Sequence, residues 1–143
     1  MAESRTAVEL ALRALRVRDR SAAELDARLS ERGVAAAERR DALEALVRVG
    51  YVDDERLAQA RAAALAERSS GDALIRADLE ARGVSTELIE RAIAALDPEG
   101  VRAERVVARR GGGQKTLRFL AARGFDEEAL EALVAQVTDG AIG

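Results

Sequence analysis

The sequence lacks whole classes of side chain. Its 143 residues include no cysteine, no histidine and no tryptophan, a single proline, and only three aromatics: Tyr51, Phe119 and Phe125. Without cysteine there is no disulfide framework, thiolate nucleophile or zinc ribbon. Without histidine the usual proton shuttle and the commonest metal ligand are missing. The scarcity of aromatic and β-branched residues, against an abundance of alanine, leucine, arginine and glutamate, disfavours a sandwich or barrel and favours helix. No apolar run approaches the length of a membrane span. The first residues, Met1-Ala2-Glu3-Ser4-Arg5, lack the charged-then-apolar layout of a secretory signal, so a cytoplasmic chain with no membrane contact is expected. Lysine is nearly absent too: Lys115 is the only one among 23 basic residues. A net charge of −3 does not suit a non-specific DNA coat.

What is present is repetition. Leu29-Ser30-Glu31-Arg32-Gly33-Val34, Leu79-Glu80-Ala81-Arg82-Gly83-Val84 and Leu120-Ala121-Ala122-Arg123-Gly124-Phe125 all read Leu-x-x-Arg-Gly-apolar. Apolar residues follow each glycine at helical spacing: Leu43 and Leu46, then Ile89, Ile93 and Leu96, then Leu130, Val134 and Val137. Each glycine is expected to end a helix in the left-handed conformation, with the arginine before it against the negative end of the dipole. Ser21-Ala22-Ala23-Glu24 has the capping-box pattern, Ser85 or Thr86 and Asp126 offer further caps, and Asp97-Pro98-Glu99 reads as an N-cap followed by proline at the first helical position. The punctuation predicts an all-α chain of nine helices, at roughly 5–18, 21–32, 35–49, 53–69, 71–82, 85–96, 98–110, 114–123 and 126–138. They group into an elongated array of three tandem three-helix repeats, 1–52, 53–97 and 98–138, followed by a flexible tail at 139–143. The segment from Asp53 to Ser69 is the longest candidate for a connector between repeats.

Two motifs suggest chemistry, and each has a plainer explanation. Asp53-Asp54-Glu55 could mark a metal or catalytic site, but consecutive acids on a helix point apart and no further ligand is near in sequence. An N-cap with an acidic first turn accounts for them. Gly111-Gly112-Gly113-Gln114-Lys115-Thr116 resembles the end of a phosphate loop, but Gln114 separates glycine from lysine and the preceding segment is helical in pattern. A turn between helices fits better. No metal, cofactor or catalytic constellation is expected, so the chain is read as a non-enzyme.

Charge is distributed unevenly. Between residues 102 and 123 lie Arg102, Arg105, Arg109, Arg110, Lys115, Arg118 and Arg123, with Glu104 the only acid. Arg102, Arg105 and Arg109 are spaced to share a helix face. This strip is the candidate partner-binding surface, carried by Arg102, Arg105, Arg109, Arg110, Lys115 and Arg118. Arg123 is set apart because Arg32 and Arg82 occupy the equivalent helix end, which points to a structural role. The weaker cluster Arg13, Arg16, Arg18 and Arg20 is assigned to structure.

Further motifs carry a family resemblance. Leu15 to Leu25, followed by Leu29 to Gly33, resembles the opening of the RecX regulatory proteins, and Gly50-Tyr51-Val52-Asp53-Asp54-Glu55-Arg56-Leu57-Ala58 is similar to their Gly-Tyr-Leu-Asp-Asp-x-Arg-Phe-Ala signature. Gly71 to Leu96 and Thr116 to Phe125 match the later repeats, with Leu57 in place of the usual phenylalanine. The chain is read as a monomer. The resemblance implies that it binds the RecA recombinase filament on single-stranded DNA. It further implies that the protein depresses the ATPase, strand-exchange and coprotease activities of RecA, within the SOS response and recombinational DNA repair. The alternative is a helical DNA-binding module, in which a weak direct contact with DNA stays open. Helices 35–49 and 85–96 carry few of the polar side chains that read bases.

Overall fold

The structure, a computed structural model, describes the backbone of residues 2–142 and the side chains of residues 6–135. Those residues form nine α-helices and no strand: α1 (Ala2–Val17), α2 (Ala22–Glu31), α3 (Ala36–Arg48), α4 (Asp54–Glu67), α5 (Asp72–Ala81), α6 (Thr86–Ala94), α7 (Glu99–Arg110), α8 (Gln114–Ala122) and α9 (Glu127–Ile142). The all-α expectation holds.

The repeated hexapeptide is the fingerprint of one helix ending. Gly33, Gly83 and Gly124 have φ of 82°, 76° and 84°. The N–H of the apolar residue after each glycine bonds back to the motif leucine: Val34 to Leu29 at 3.0 Å, Val84 to Leu79 and Phe125 to Leu120 at 3.1 Å. Each glycine N–H bonds to the residue after that leucine. This is the Schellman arrangement, in which the two ends of the motif close a small apolar contact and the glycine takes a conformation costly for other residues. The turn at Leu65-Ala66-Glu67-Arg68-Ser69-Ser70 makes the same bonds with Ser69 at φ 63°, the only described non-glycine residue at positive φ. Ser69→Gly is therefore expected to stabilise the protein by about 1 kcal/mol. Urea denaturation showing no gain would mean that the hydroxyl's contact with Arg109 matters more than the strain.

Three apolar cores form, one in each triplet of helices. Leu25, Leu29, Leu46 and Val52 anchor the first; Ile75, Leu79 and Ile89 the second; Val106, Leu120, Phe125 and Leu133 the third. Leu57, which replaces the signature phenylalanine, packs on the second core. Extensive helix–helix packing is confined to these triplets. Each core is small, and a fully buried leucine or isoleucine contributes only about 1.5–3 kcal/mol, so the polar joints between triplets carry unusual weight.

Several local expectations are corrected. α4 is not a connector: Ala58, Ala62 and Leu65 bury its inner face against α5 and α6. α7 begins at Glu99, with Pro98 in the N-cap position (φ −52°, ψ 144°) rather than inside the helix, and Asp97 sits before it. The residue nine beyond each motif glycine is buried in all three triplets, Ala42, Ala92 and Leu133, whereas Val134 is 43% exposed. Two alanines at that position had hidden the stripe. The Val137 side chain lies outside the described residues. α9 continues to Ile142, through most of the segment expected to be a tail; Gly143 lies outside the described residues.

Candidate functional site

The basic strip lies on α7 and α8, and its members have different roles. Arg102 was expected on a surface. It is instead 8% exposed. Its Nε donates to Asp97 O at 3.0 Å, one terminal nitrogen donates to Ser70 O at 2.9 Å, and the other pairs with Asp72. Phe125 lies beside it, 5.9 Å from guanidinium carbon to ring centroid. The helical spacing did place Arg102, Arg105 and Arg109 along one side of α7, where all three line one cleft, but Arg102 is buried toward the second triplet while the exposed Arg109 guanidinium reaches Ser69 Oγ at 3.3 Å. Burial and the bonds that each of its three nitrogens makes within the chain remove Arg102 from the exposed strip.

The remaining members face outward. Arg105 pairs with Asp97 at 2.6 Å, both side chains well exposed. Arg110 lies over the Phe119 ring at 3.8 Å from the centroid, a stacking that holds the guanidinium at the surface. Lys115 and Arg118 are exposed on α8. Arg105 and Arg109 also edge a cleft of about 660 Å³ between α4 and α7, with Ala66, Leu96 and Val106 among its apolar lining and Glu67 and Asp97 on its rim. Arg123 is structural, as its position suggested: Nε donates to Ser69 O at 2.9 Å and a terminal nitrogen to Ser70 Oγ at 3.3 Å.

Two joints link the three units, and the second positions this face. At the first, Ser21 completes the capping box with Glu24 and its hydroxyl donates to Arg82 O, while Asp54 accepts from the Ala22 N–H at 2.9 Å. At the second, one carboxylate, Glu99, accepts from the N–H groups of Asp72 (2.5 Å) and Asp126 (2.9 Å), so it serves the starts of α5 and α9 together. Gly71 N–H donates to Arg123 O at 2.7 Å and Ala73 N–H to Gly124 O at 3.2 Å. The three consecutive acids thus act separately. Asp53 caps α4 through the Arg56 N–H, Asp54 serves α2, and Glu55 pairs with Arg91. Among the described residues no group of three acidic side chains could hold a metal ion. The glycine run forms the expected turn, with Gly111 at φ 95° ending α7 and Gly113 capping α8. Arg18 pairs with Glu24, and Arg20 donates to Ala14 O at 3.2 Å, consistent with the structural reading of that cluster.

Electrostatics follow these contacts. Burial pushes the Asp72 carboxyl up, against the opposing pull of Arg102. The bidentate hydrogen bond from Arg61, reinforced by Arg82, holds Asp78 below the usual carboxylate range. A lowered native pKa means that the Asp78 contribution is complete near neutral pH and is lost as pH falls through the acid range. Asp78→Asn should therefore narrow the stability difference between pH 7 and acid, as measured by urea midpoints across pH.

Tandem three-helix units, bound to one another by polar joints at helix ends, define a helical-repeat protein. The family model describing the RecX second three-helix domain matches residues 53–93. The RecX regulatory protein of Chromohalobacter salexigens is 36% identical over 87% of this chain and 88% of its own length. That of Trichlorobacter lovleyi is 33% identical over 86% and 90%. The crystal structure of RecX from Lactobacillus salivarius shares the fold with a TM-score of 0.79 at 16% identity, covering 96% of this chain and 97% of that one. The chain belongs to the RecX family of regulatory proteins. No helix among the described residues is long and apolar enough to cross a membrane.

Proposed function

We propose that this protein binds the RecA recombinase filament on single-stranded DNA and lowers its ATPase, strand-exchange and coprotease activities. In that role it tempers recombinational repair and the SOS response in the cytoplasm without turnover of its own. Its similarity to RecX regulatory proteins over nearly the whole chain carries this reading. The binding face is Arg105, Arg109, Arg110, Lys115 and Arg118, with Arg102 holding it in place from behind. Arginine forks suit phosphate and carboxylate alike, and a concentrated positive face on an acidic chain speeds and orients encounter with a polyanion. Titrating the protein into RecA turning over ATP on single-stranded DNA should depress hydrolysis. Unchanged hydrolysis at saturation, with helicity confirmed by circular dichroism, refutes the reading.

The surface has its own test. Joint reversal of Arg105, Arg110 and Arg118 to glutamate should weaken filament binding by about 2–4 kcal/mol, with each exposed charge costing only ~0–1 kcal/mol of stability. Arg61 and Arg76 are unsuitable controls, since they make bidentate bonds to Asp78 and Glu90. Exposed Arg13, Arg16 and Arg48 of the first unit are the matched set. Equal losses from both triple variants would place binding elsewhere.

A further inference from the structure

Within the chain the same docking occurs twice. The closing turn of α5 seats on the start of α2, where Arg82 O accepts from Ser21 Oγ and a Cβ on Gly83 would stand 2.5 Å from Ala23 Cβ. The closing turn of α8 seats on the start of α5, where Arg123 O and Gly124 O accept from Gly71 and Ala73. Each time, carbonyls at a helix C-terminus meet donors at a helix N-terminus, so dipole ends of opposite sign face each other. The series α8, α5, α2 therefore has a direction, and it leaves one closing turn and one helix start unused.

The unused turn is Arg32-Gly33-Val34. It has the same bonds and the same positive φ as its two counterparts, yet a Cβ on Gly33 would meet nothing within 4 Å. The Arg32 side chain is exposed and makes no bond to the described residues. Arg82 by contrast pairs with Asp78, and Arg123 bonds the Ser69–Ser70 turn. The unused helix start is that of α8. Its N-cap, Gly113 (φ −81°, ψ 173°), has nearly the backbone conformation of Gly71 (φ −81°, ψ 171°). Gly71 must be glycine because Gly124 and Phe125 backbone atoms occupy the space of a Cβ. Gly113 has no such neighbour, and its conformation is open to any residue. No side chain caps α8, and no acid lies in its first turn.

We propose that copies of this chain associate head to tail, the Arg32-Gly33 turn of one copy seating on the Gly113–Lys115 start of α8 in the next. The first unit of one copy then follows the third unit of another as that unit follows the second within the chain. The occupant is a second copy because the interface continues one that the chain already uses twice. The contact is heterologous and does not close, so it yields open chains whose length grows with concentration.

Sedimentation of the purified protein, with no recombinase present, tests this apart from the proposed function. The average mass should rise above that of the 15.3 kDa single copy as concentration approaches the millimolar range. Gly113→Glu, at a site where a side chain has open room, should hold the mass at one copy. The absence of native cysteine allows a direct check by oxidation. Arg32→Cys with Gln114→Cys in one chain should give a disulfide ladder, at a rate about tenfold above that for Arg32→Cys with Glu104→Cys. A native chain that stays at single-copy mass at millimolar concentration, or equal ladders from both pairs, overturns the proposal.

Discussion

Gly124→Ala is expected to cost about 2–5 kcal/mol, against about 1–2 kcal/mol for Gly33→Ala, although the two glycines close identical turns. Both hold positive φ, 84° and 82°, so both substitutions incur the left-handed strain. Only Gly124 has a docked neighbour: a Cβ there would stand 2.7 Å from the Leu74 backbone nitrogen, whereas one on Gly33 enters open space. The excess therefore measures the joint and not the turn. The clash can be relieved by undocking the third unit, which breaks the bonds from Gly71 and Ala73. Hydrogen exchange at those two amides should accelerate in Gly124→Ala and remain unchanged in Gly33→Ala. Equal costs at the two glycines would show that the joint yields without loss.

The contrast explains how much of the fold could be read from the sequence. A Schellman ending is a local device, built within six positions, and the three that read Leu-x-x-Arg-Gly-apolar declared three units, while α3 closes in the same way at Gly50 without that arginine. The capping box at Ser21 is local in the same way. Joint residues leave no local trace. Asp54 looks like part of an acidic first turn, and its bond to the Ala22 N–H spans the first and second units. Glu99 looks like an early helix acid and serves two helix starts at once. Their equivalent places, each beginning the first helix of a unit, were the only signal. Small residues also concealed the core stripe, because Ala42 and Ala92 add little to a pattern of large apolar side chains.

The basic strip was legible as charge but not as surface. Spacing fixes which side chains share a helix face, yet nothing in spacing says whether that face looks to solvent or to another unit. Arg102 is buried against the Ser69–Ser70 turn, Arg105 and Arg109 on the same side of α7 stay exposed at the edge of the cleft beside that turn, and Arg110 and Arg118 are exposed as well. Arginine serves both environments for one reason: its planar fork satisfies several acceptors at once, whether they belong to a neighbouring turn or to a ligand.

Arg102 is accordingly the strip residue whose loss should be felt most in stability. Arg102→Met keeps much of the packing beside Phe125 but removes the bonds to Ser70 O and Asp97 O and the pairing with Asp72. Breaking a buried ion pair from one side costs about 3–5 kcal/mol, because the remaining charge is left without its partner. Asp72 is that charge. Burial already pushes its carboxyl up, and removing Arg102 removes the main opposing pull. Its native pKa then lies further above the unfolded value, so the native state holds the proton more tightly and the penalty applies above that pKa. Lowering the pH through the carboxylate range should restore part of the variant's stability relative to the parent. Asp72→Asn in the same chain should recover part of the loss at pH 7, by removing the stranded charge while keeping a similar shape. If Arg102→Met loses less than about 1 kcal/mol, or if Asp72→Asn adds its own full cost on top, the pair is not what holds the third unit in place.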